Sequence, residues 1–239
     1  MNNLVIADSK KLPAHVLAAS GKGNENIDTT MVTIPRVKLL QDMSPEVKKS
    51  SDRKVEGAEP GMLMLSSGGE VFDELYVLNL KVRSGYVAFS EESKMPFRAM
   101  VTGDDGDDGM FSSIDSALKA LDFAGVEREK IETEPGKQGP KDGYTVLESH
   151  RHYILVVDPE TGKIKTPANM DFIKTKVAIS KQRNTTIATQ AGDRYSSVYR
   201  IGSKVQSWNE NSWYNYDISW HGYATEALYE EADKVFAAL

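Results

Sequence analysis

An α+β fold, mainly β with added helices, is predicted by three features of the sequence. Residues 196–207 and 213–221 alternate between apolar and polar positions on either side of an Asn209-Glu-Asn-Ser turn, which is the pattern of a β-hairpin. Leu75-Tyr-Val-Leu-Asn-Leu-Lys-Val is apolar on both faces, as expected of a central strand covered from two sides. After Thr225, an N-cap residue type, Leu228, Ala232, Val235, Phe236 and Leu239 fall on one helical stripe.

Taken in order, residues 1–30 are polar and end in Gly21-Lys-Gly-Asn-Glu-Asn-Ile-Asp, the composition of a flexible arm. Residues 31–239 then form the expected single domain, with an acidic insertion around 102–143. Met31-Val-Thr-Ile-Pro begins extended, because Pro35 restricts Ile34 to β or polyproline geometry. Pro60-Gly61 breaks the chain, Met62-Leu-Met-Leu reads as a strand, and Ser66-Ser-Gly-Gly as a turn. Gly85-Tyr-Val-Ala-Phe reads as a further strand. Ser112 or Ser113 is placed to cap a helix to Ala124, with Ile114, Ala117, Leu118 and Leu121 on one face and Gly125 at its end. Residues 126–143 have the composition of an exposed loop. His152-Tyr-Ile-Leu-Val-Val-Asp is a strand joined by Asp158-Pro-Glu-Thr-Gly-Lys to a returning strand from Ile164. Within 174–190, Val177, Ala178, Lys181, Asn184, Ile187 and Ala188 suit a helix with a basic exposed face.

With 239 residues the chain is long enough to bury a core without staples, and the absence of cysteine excludes disulfides, thiolate zinc sites and a cysteine nucleophile. The longest aliphatic run, Ile154-Leu-Val-Val, is far below the ~18 residues of a membrane-spanning helix. The first residues show no signal-peptide pattern, so a soluble, cytoplasmic protein is expected, with no membrane partner.

The net charge of −6 conceals a strong asymmetry. Residues 102–134 carry ten acidic and three basic groups, whereas 171–206 carry seven basic and two acidic ones. Eight of the 20 aromatic residues, including all three tryptophans, lie within 195–223. Basic and aromatic stretches thus overlap. Single-stranded nucleic acid calls for that combination, with cations along the backbone and flat rings against the bases. The candidate phosphate contacts are Lys174, Lys176, Lys181, Arg183, Arg194, Arg200 and Lys204. The candidate stacking residues are Tyr195, Tyr199, Trp208, Trp213, Tyr214, Tyr216 and Trp220. The alternative for Tyr214, Tyr216, Ile218 and Trp220 is the buried face of the hairpin, and for the basic run a solvated helix face.

Other chemistry finds little support. P-loop, nucleophile-elbow and His-Glu-x-x-His patterns are absent. His150 and His152 share a strand face without a third ligand nearby, and strand-edge histidines are the simpler reading. Gly103-Asp-Asp-Gly-Asp-Asp-Gly lacks the third and closing ligands of a calcium loop and reads as a solvated acidic loop. No catalytic residue, metal or cofactor is expected, and the chain reads as a binding protein rather than an enzyme.

Ile34-Pro-Arg-Val-Lys-Leu-Leu-Gln-Asp-Met-Ser-Pro-Glu-Val-Lys and Val55-Glu-Gly-Ala-Glu-Pro-Gly-Met-Leu resemble the N-terminal half of a group of tailed-bacteriophage early proteins. Lys176-Val-Ala-Ile-Ser-Lys-Gln-Arg-Asn, Tyr195-Ser-Ser-Val-Tyr-Arg, Asn211-Ser-Trp-Tyr-Asn-Tyr and the closing helix extend the resemblance over roughly residues 31–239. It implies an OB-like antiparallel β-barrel with inserted helices and a C-terminal helix. It also implies single-stranded-DNA binding in phage DNA replication or recombination, with phage or host replication proteins as further partners. The sequence departs from that pattern at its end, where an amphipathic helix replaces a disordered acidic tail and could serve the core or a homodimer contact. The alternative function is a protein-interaction module, a host-enzyme inhibitor or structural component, that uses the aromatic hairpin as its interface.

Overall fold

Two long strands form the spine of the protein. In the computed structural model, which describes residues 34–93, 95–99, 105–106 and 108–238, β4 (Leu75–Ser90) pairs antiparallel with β6 (Tyr144–Val157) from Tyr76↔Val157 to Ser90↔Tyr144. The segments expected as two strands, 75–82 and 85–89, are therefore one. The polar residues Arg83-Ser-Gly continue the ladder because they stay in register with Arg151, His150 and Ser149 of β6. Gly85 is required at that point: a Cβ would lie 2.4 Å from the Phe111 carbonyl oxygen, where Tyr86 and Phe111 exchange backbone hydrogen bonds. Likewise β6 starts at Tyr144, eight residues before the predicted strand. The loop expected over 126–143 contains a 3₁₀ turn (Arg128–Lys130) and the short strand β5 (Ile131–Glu132).

The main sheet runs β5-β6-β4-β8-β9, with β7 (Ile164–Ile173) also on β6, β8 spanning Ser197–Trp208 and β9 Asn211–Tyr223. The pairings leave this sheet open, so the strand-closed barrel implied by the resemblance is not formed. A small sheet, β1 (Val37–Leu39), β2 (Leu63–Leu65) and β3 (Val71–Phe72), lies between its two free edges instead. At one edge Asn169 N–H donates to the Pro35 carbonyl at 2.7 Å. At the other, the Gln41 amide accepts from Tyr214 N–H at 2.9 Å and donates to Tyr214 O at 3.0 Å, replacing a neighbouring strand with one side chain.

The sheet is covered on both faces. Val77, Ile154, Val156, Met170, Phe172, Tyr199, Ile201 and Tyr216 pack with β1, β2 and Ile187 of helix α2 (Lys176–Thr189). Alternate residues Leu78, Leu80, Leu155 and Val198 face Leu228 and Ala232 of α3 (Glu226–Ala237). The closing helix thus serves the core. Its Thr225 Oγ accepts from Leu228 N–H, as its sequence suggests. A third cluster, Ala88, Phe111, Ala117, Leu121, Ile131 and Val146, seats α1 (Ile114–Phe123) on the far end of the spine. Ser113 caps α1, and Gly125, at φ +78°, follows it. Residues Pro35–Leu239 belong to one unit. The expected arm, residues 1–30, lies outside the described residues, as do Asp104, Asp107 and Leu239.

The two histidines are not at an edge but inside the spine. Arg194 Nε donates to Asn79 Oδ1 at 2.6 Å, which leaves the Asn79 amide as donor to His152 Nδ1, also at 2.6 Å. His152 must then carry its proton on Nε2 and donate to Ser180 Oγ at 2.7 Å. The Ser180 hydroxyl hydrogen is left for His150 Nδ1 at 2.8 Å, and His150 Nε2 reaches Glu148 at 3.2 Å. This chain joins α2 to β4 and β6 with a single direction of proton donation.

Ser180→Ala removes the middle of the chain and leaves two buried ring nitrogens without a partner. It should cost about 1–3 kcal/mol of stability, read as a lower urea midpoint at unchanged slope. His152, displaced from its usual 6.5 to about 2 by burial and then by Arg183, Arg194 and His150, stays neutral in the fold. Below pH ~6.5 the unfolded chain binds a proton that the folded chain refuses. This contribution is complete above that pH and falls at up to ~1.4 kcal/mol per unit as pH drops. Stability should decline by about 2 kcal/mol from pH 7 to 5, and His152→Gln should flatten that slope.

Candidate nucleic-acid interface

The β8–β9 hairpin closes through Asn209, whose φ of +53° gives the tight turn, and its register sets Gln206 opposite Trp213 and Trp208 opposite Asn211. The tip projects Trp208, 72% exposed, while Trp213 is half-buried with its indole N–H unpartnered. Gln206, Ser207, Trp208, Asn211 and Trp213 line an open cleft of about 590 Å³ with Thr175.

Thr175 is the N-cap position of α2, flanked by Lys174 and Lys176. Its side chain caps nothing and the first turn contains no acidic residue, so the positive end of the helix dipole is uncompensated there. Lys174, in the left-handed region at φ +55°, is exposed and rests over the Phe89 ring at 4.7 Å. Lys176 lies over the Tyr216 ring at 4.7 Å, and burial, partly offset by Asp171, lowers its ammonium to about 8. Thr175 and Lys174 also line a second cleft of about 660 Å³, with Tyr86, Lys137, Gln138 and Glu148. The two clefts therefore adjoin at the start of α2.

The fourteen predicted residues do not share one groove. Trp208 and Trp213 meet Lys174 and Lys176 through Thr175. Arg183, Tyr199, Lys204, Tyr216 and Trp220 line a separate, smaller cavity between α2 and the hairpin. Several are structural. Tyr195 is buried and donates to Asp233 at 2.5 Å, an interaction that raises its phenol strongly. Tyr199 and Tyr216 are fully enclosed and Tyr214 packs against the same core, whereas Trp220 stays 47% exposed while its indole N–H donates to Ser197 at 3.2 Å.

Only part of the basic run is a solvated face, with Lys174, Lys181 and Lys204 exposed. Arg183 turns inward, because the buried side of α2 is Val177, Ser180, Arg183 and Ile187, and Arg194, beyond the end of α2, is half-buried and donates to Asn79 and Asn184. Lys181 pairs with Glu148 at 2.9 Å. Arg200 reaches Glu74 at 2.9 Å and Asp217 at 3.4 Å, and Lys204 shares Asp217 at 3.4 Å. Thr175, Gln206 and Asp217 escaped the sequence reading. Asp217 has a readable signal, since it occupies the polar side of an alternating strand opposite Gly202, between Arg200 and Lys204.

The acidic loop is also more engaged than a solvated loop. Asp108 accepts from Arg151 at 2.5 Å and from Arg83 at 3.1 Å, and Asp105 accepts from Ser112 N–H at 2.9 Å. Among the described residues no cluster of three or more metal-ligating side chains occurs, and no helix is long and apolar enough to cross a membrane.

A family model described as Pam3 phage gp34-like protein matches residues 7–239. The chain belongs to the Pam3 phage gp34-like family. This gp34-like chain is accordingly a phage protein, as the resemblance implied, while the family description itself specifies no ligand. Comparison with curated proteins finds no match, and comparison with solved structures finds none.

The division between core and surface aromatics is testable by stability alone. Trp208→Ala should change the unfolding free energy by less than about 0.5 kcal/mol. Tyr216→Ala should lower it by about 3–5 kcal/mol, through loss of a fully buried ring, in the same denaturant titration.

Proposed function

We propose that this gp34-like protein binds single-stranded DNA during phage DNA replication or recombination, without catalysing a reaction. One observation carries the reading: an exposed tryptophan and a second indole share a cleft with the lysine-flanked, uncapped start of α2. Indole faces suit unstacked bases, and a helix N-terminus between two lysines suits the phosphates joining them. The adjoining cleft past Lys174 and Lys137 extends the path for a strand. The ion pairs of Lys181, Arg200 and Lys204 are partly exposed, so phosphates can compete for those cations at small cost.

The second reading, a protein-interaction module, draws on the same tip. Val205 and Trp208 are exposed there, and β9 has no strand neighbour on its outer side among the described residues. A partner strand could add to that edge.

Titrating oligo-dT against tryptophan fluorescence separates the two. Neutralising two to four phosphates gives a slope of log K against log salt of about −1.4 to −2.8. Trp208→Ala should weaken binding by about 5- to 150-fold, as expected for loss of one stacked base. Absence of quenching and of salt-sensitive binding at micromolar protein would remove the DNA reading. A host-protein complex that survives nuclease and high salt would favour the second.

A further inference from the structure

Arg151 and Arg183 are both 3% exposed, and their surroundings differ in one respect. The Nε and Nη2 edge of Arg151 holds the Asp171 carboxylate at 2.6 and 3.3 Å, and its Nη1 reaches Asp108. The same edge of Arg183 has no hydrogen-bond partner, and its Nη1 meets only the Met170 sulfur at 3.9 Å. That edge is the side-on fork that grips an oxyanion with two parallel N–H bonds. The Tyr199 ring covers one face of the guanidinium, 5.2 Å away, and the unpaired edge is itself closed off from solvent.

Among the described residues no carboxylate compensates this charge. The nearby groups that act on it are Arg194, which opposes it, and Tyr199, whose phenol is itself raised by burial and so neutral at pH 7. Burial lowers the guanidinium to about 9, still charged at neutral pH. A buried cation without a counter-ion is among the costliest arrangements a fold can hold. Arg183 also lines the cavity of about 130 Å³ between α2 and the hairpin, together with Gln182, Thr186, Tyr199, Lys204 and Trp220. This volume is well below the ~300 Å³ at which sites for drug-sized molecules begin, and it suits a compact ion. Lys204 adds a second cation at the lining, but Asp217 holds its ammonium at 3.4 Å, so a phosphate must draw it from that carboxylate.

We propose that the α2–hairpin cavity is a phosphate site, with the Arg183 fork as its principal donor and Lys204 as its second cation. The site is separate from the tryptophan cleft and needs no nucleic acid. Its natural occupant is either free inorganic phosphate or the terminal phosphate of a nucleotide chain, which present the same oxygens.

Calorimetric titration and thermal melts of the full chain with inorganic phosphate, against sodium chloride of equal ionic strength, test it. Wild type should bind phosphate and gain roughly 3–6 °C in Tm at ten times Kd. Arg183→Met should lose this effect, and Arg183→Lys should lose at least tenfold in affinity, because a lysine keeps the charge without the fork. Trp208→Ala should bind phosphate as wild type does, whatever its effect on oligo-dT. If 5′-phosphorylated dT oligomers bind more tightly than unphosphorylated ones only when Arg183 is present, the occupant is a chain terminus. Equal binding of the two oligomers, with phosphate still bound, makes it free phosphate. The proposal is overturned if wild type shows no phosphate effect beyond that of chloride, or if Arg183→Met retains it. Should Arg183→Met not fold, Lys204→Ala at its exposed position must weaken phosphate binding at least fivefold, and unchanged binding overturns the assignment.

Discussion

The chain of hydrogen bonds from Arg194 through Asn79, His152 and Ser180 to His150 is the constraint on which the placement of α2 and its neighbouring clefts depends. Apolar packing alone would let α2 slide along the sheet, because Val177 and Ile187 are its only buried large apolar residues. Directional donors and acceptors remove that freedom. Each link has one permissible orientation once Arg194 fixes the Asn79 oxygen. Where α2 sits then decides where Thr175 meets the tryptophan cleft and where Arg183 meets Tyr199. The polar interior is thus a positioning device, bought with the desolvation of several side chains.

Charge is distributed by a related logic. The acidic and basic segments of the sequence are not two opposed surfaces. Asp108, from the acidic loop, and Asp171, from β7, together neutralise buried Arg151. Asp217 divides itself between Arg200 and Lys204, so the hairpin is less positive than its count of basic residues implies. What remains is local: the buried Arg183 guanidinium, and a helix start flanked by two lysines, each resting on an aromatic ring.

Much of the local structure was legible because it depends on neighbours in sequence. Ser113 and Thr225 cap the helices their positions foretell, and the hairpin alternation places Tyr199, Ile201 and Tyr216 on the core side. The long-range features were not legible. Arg83 to Gly85 and Glu148 to His150 look too polar for a central ladder, and only the partner strand, some 65 residues away, makes them one. Arg183 sits among solvent-exposed lysine and glutamine in the sequence, yet its period of three from Ser180 carries it inward. The open sheet differs from the expected barrel because the small β1-β2-β3 sheet stands between its edges, held to β7 through the Pro35 carbonyl and to β9 through the Gln41 side chain.

The Gln41–Tyr214 contact joins residues 173 positions apart. During synthesis, the segment containing β1 therefore waits for most of the chain to leave the ribosome before the core it covers can be completed. The lobe of α1 with residues 86–146 needs only sequence already made, and it can assemble while translation continues. The molecule has an early-forming end and a late-forming end. The late end contains the tryptophan cleft, so that cleft forms only after β9 has been made, and a product terminated before Asn211 would lack it.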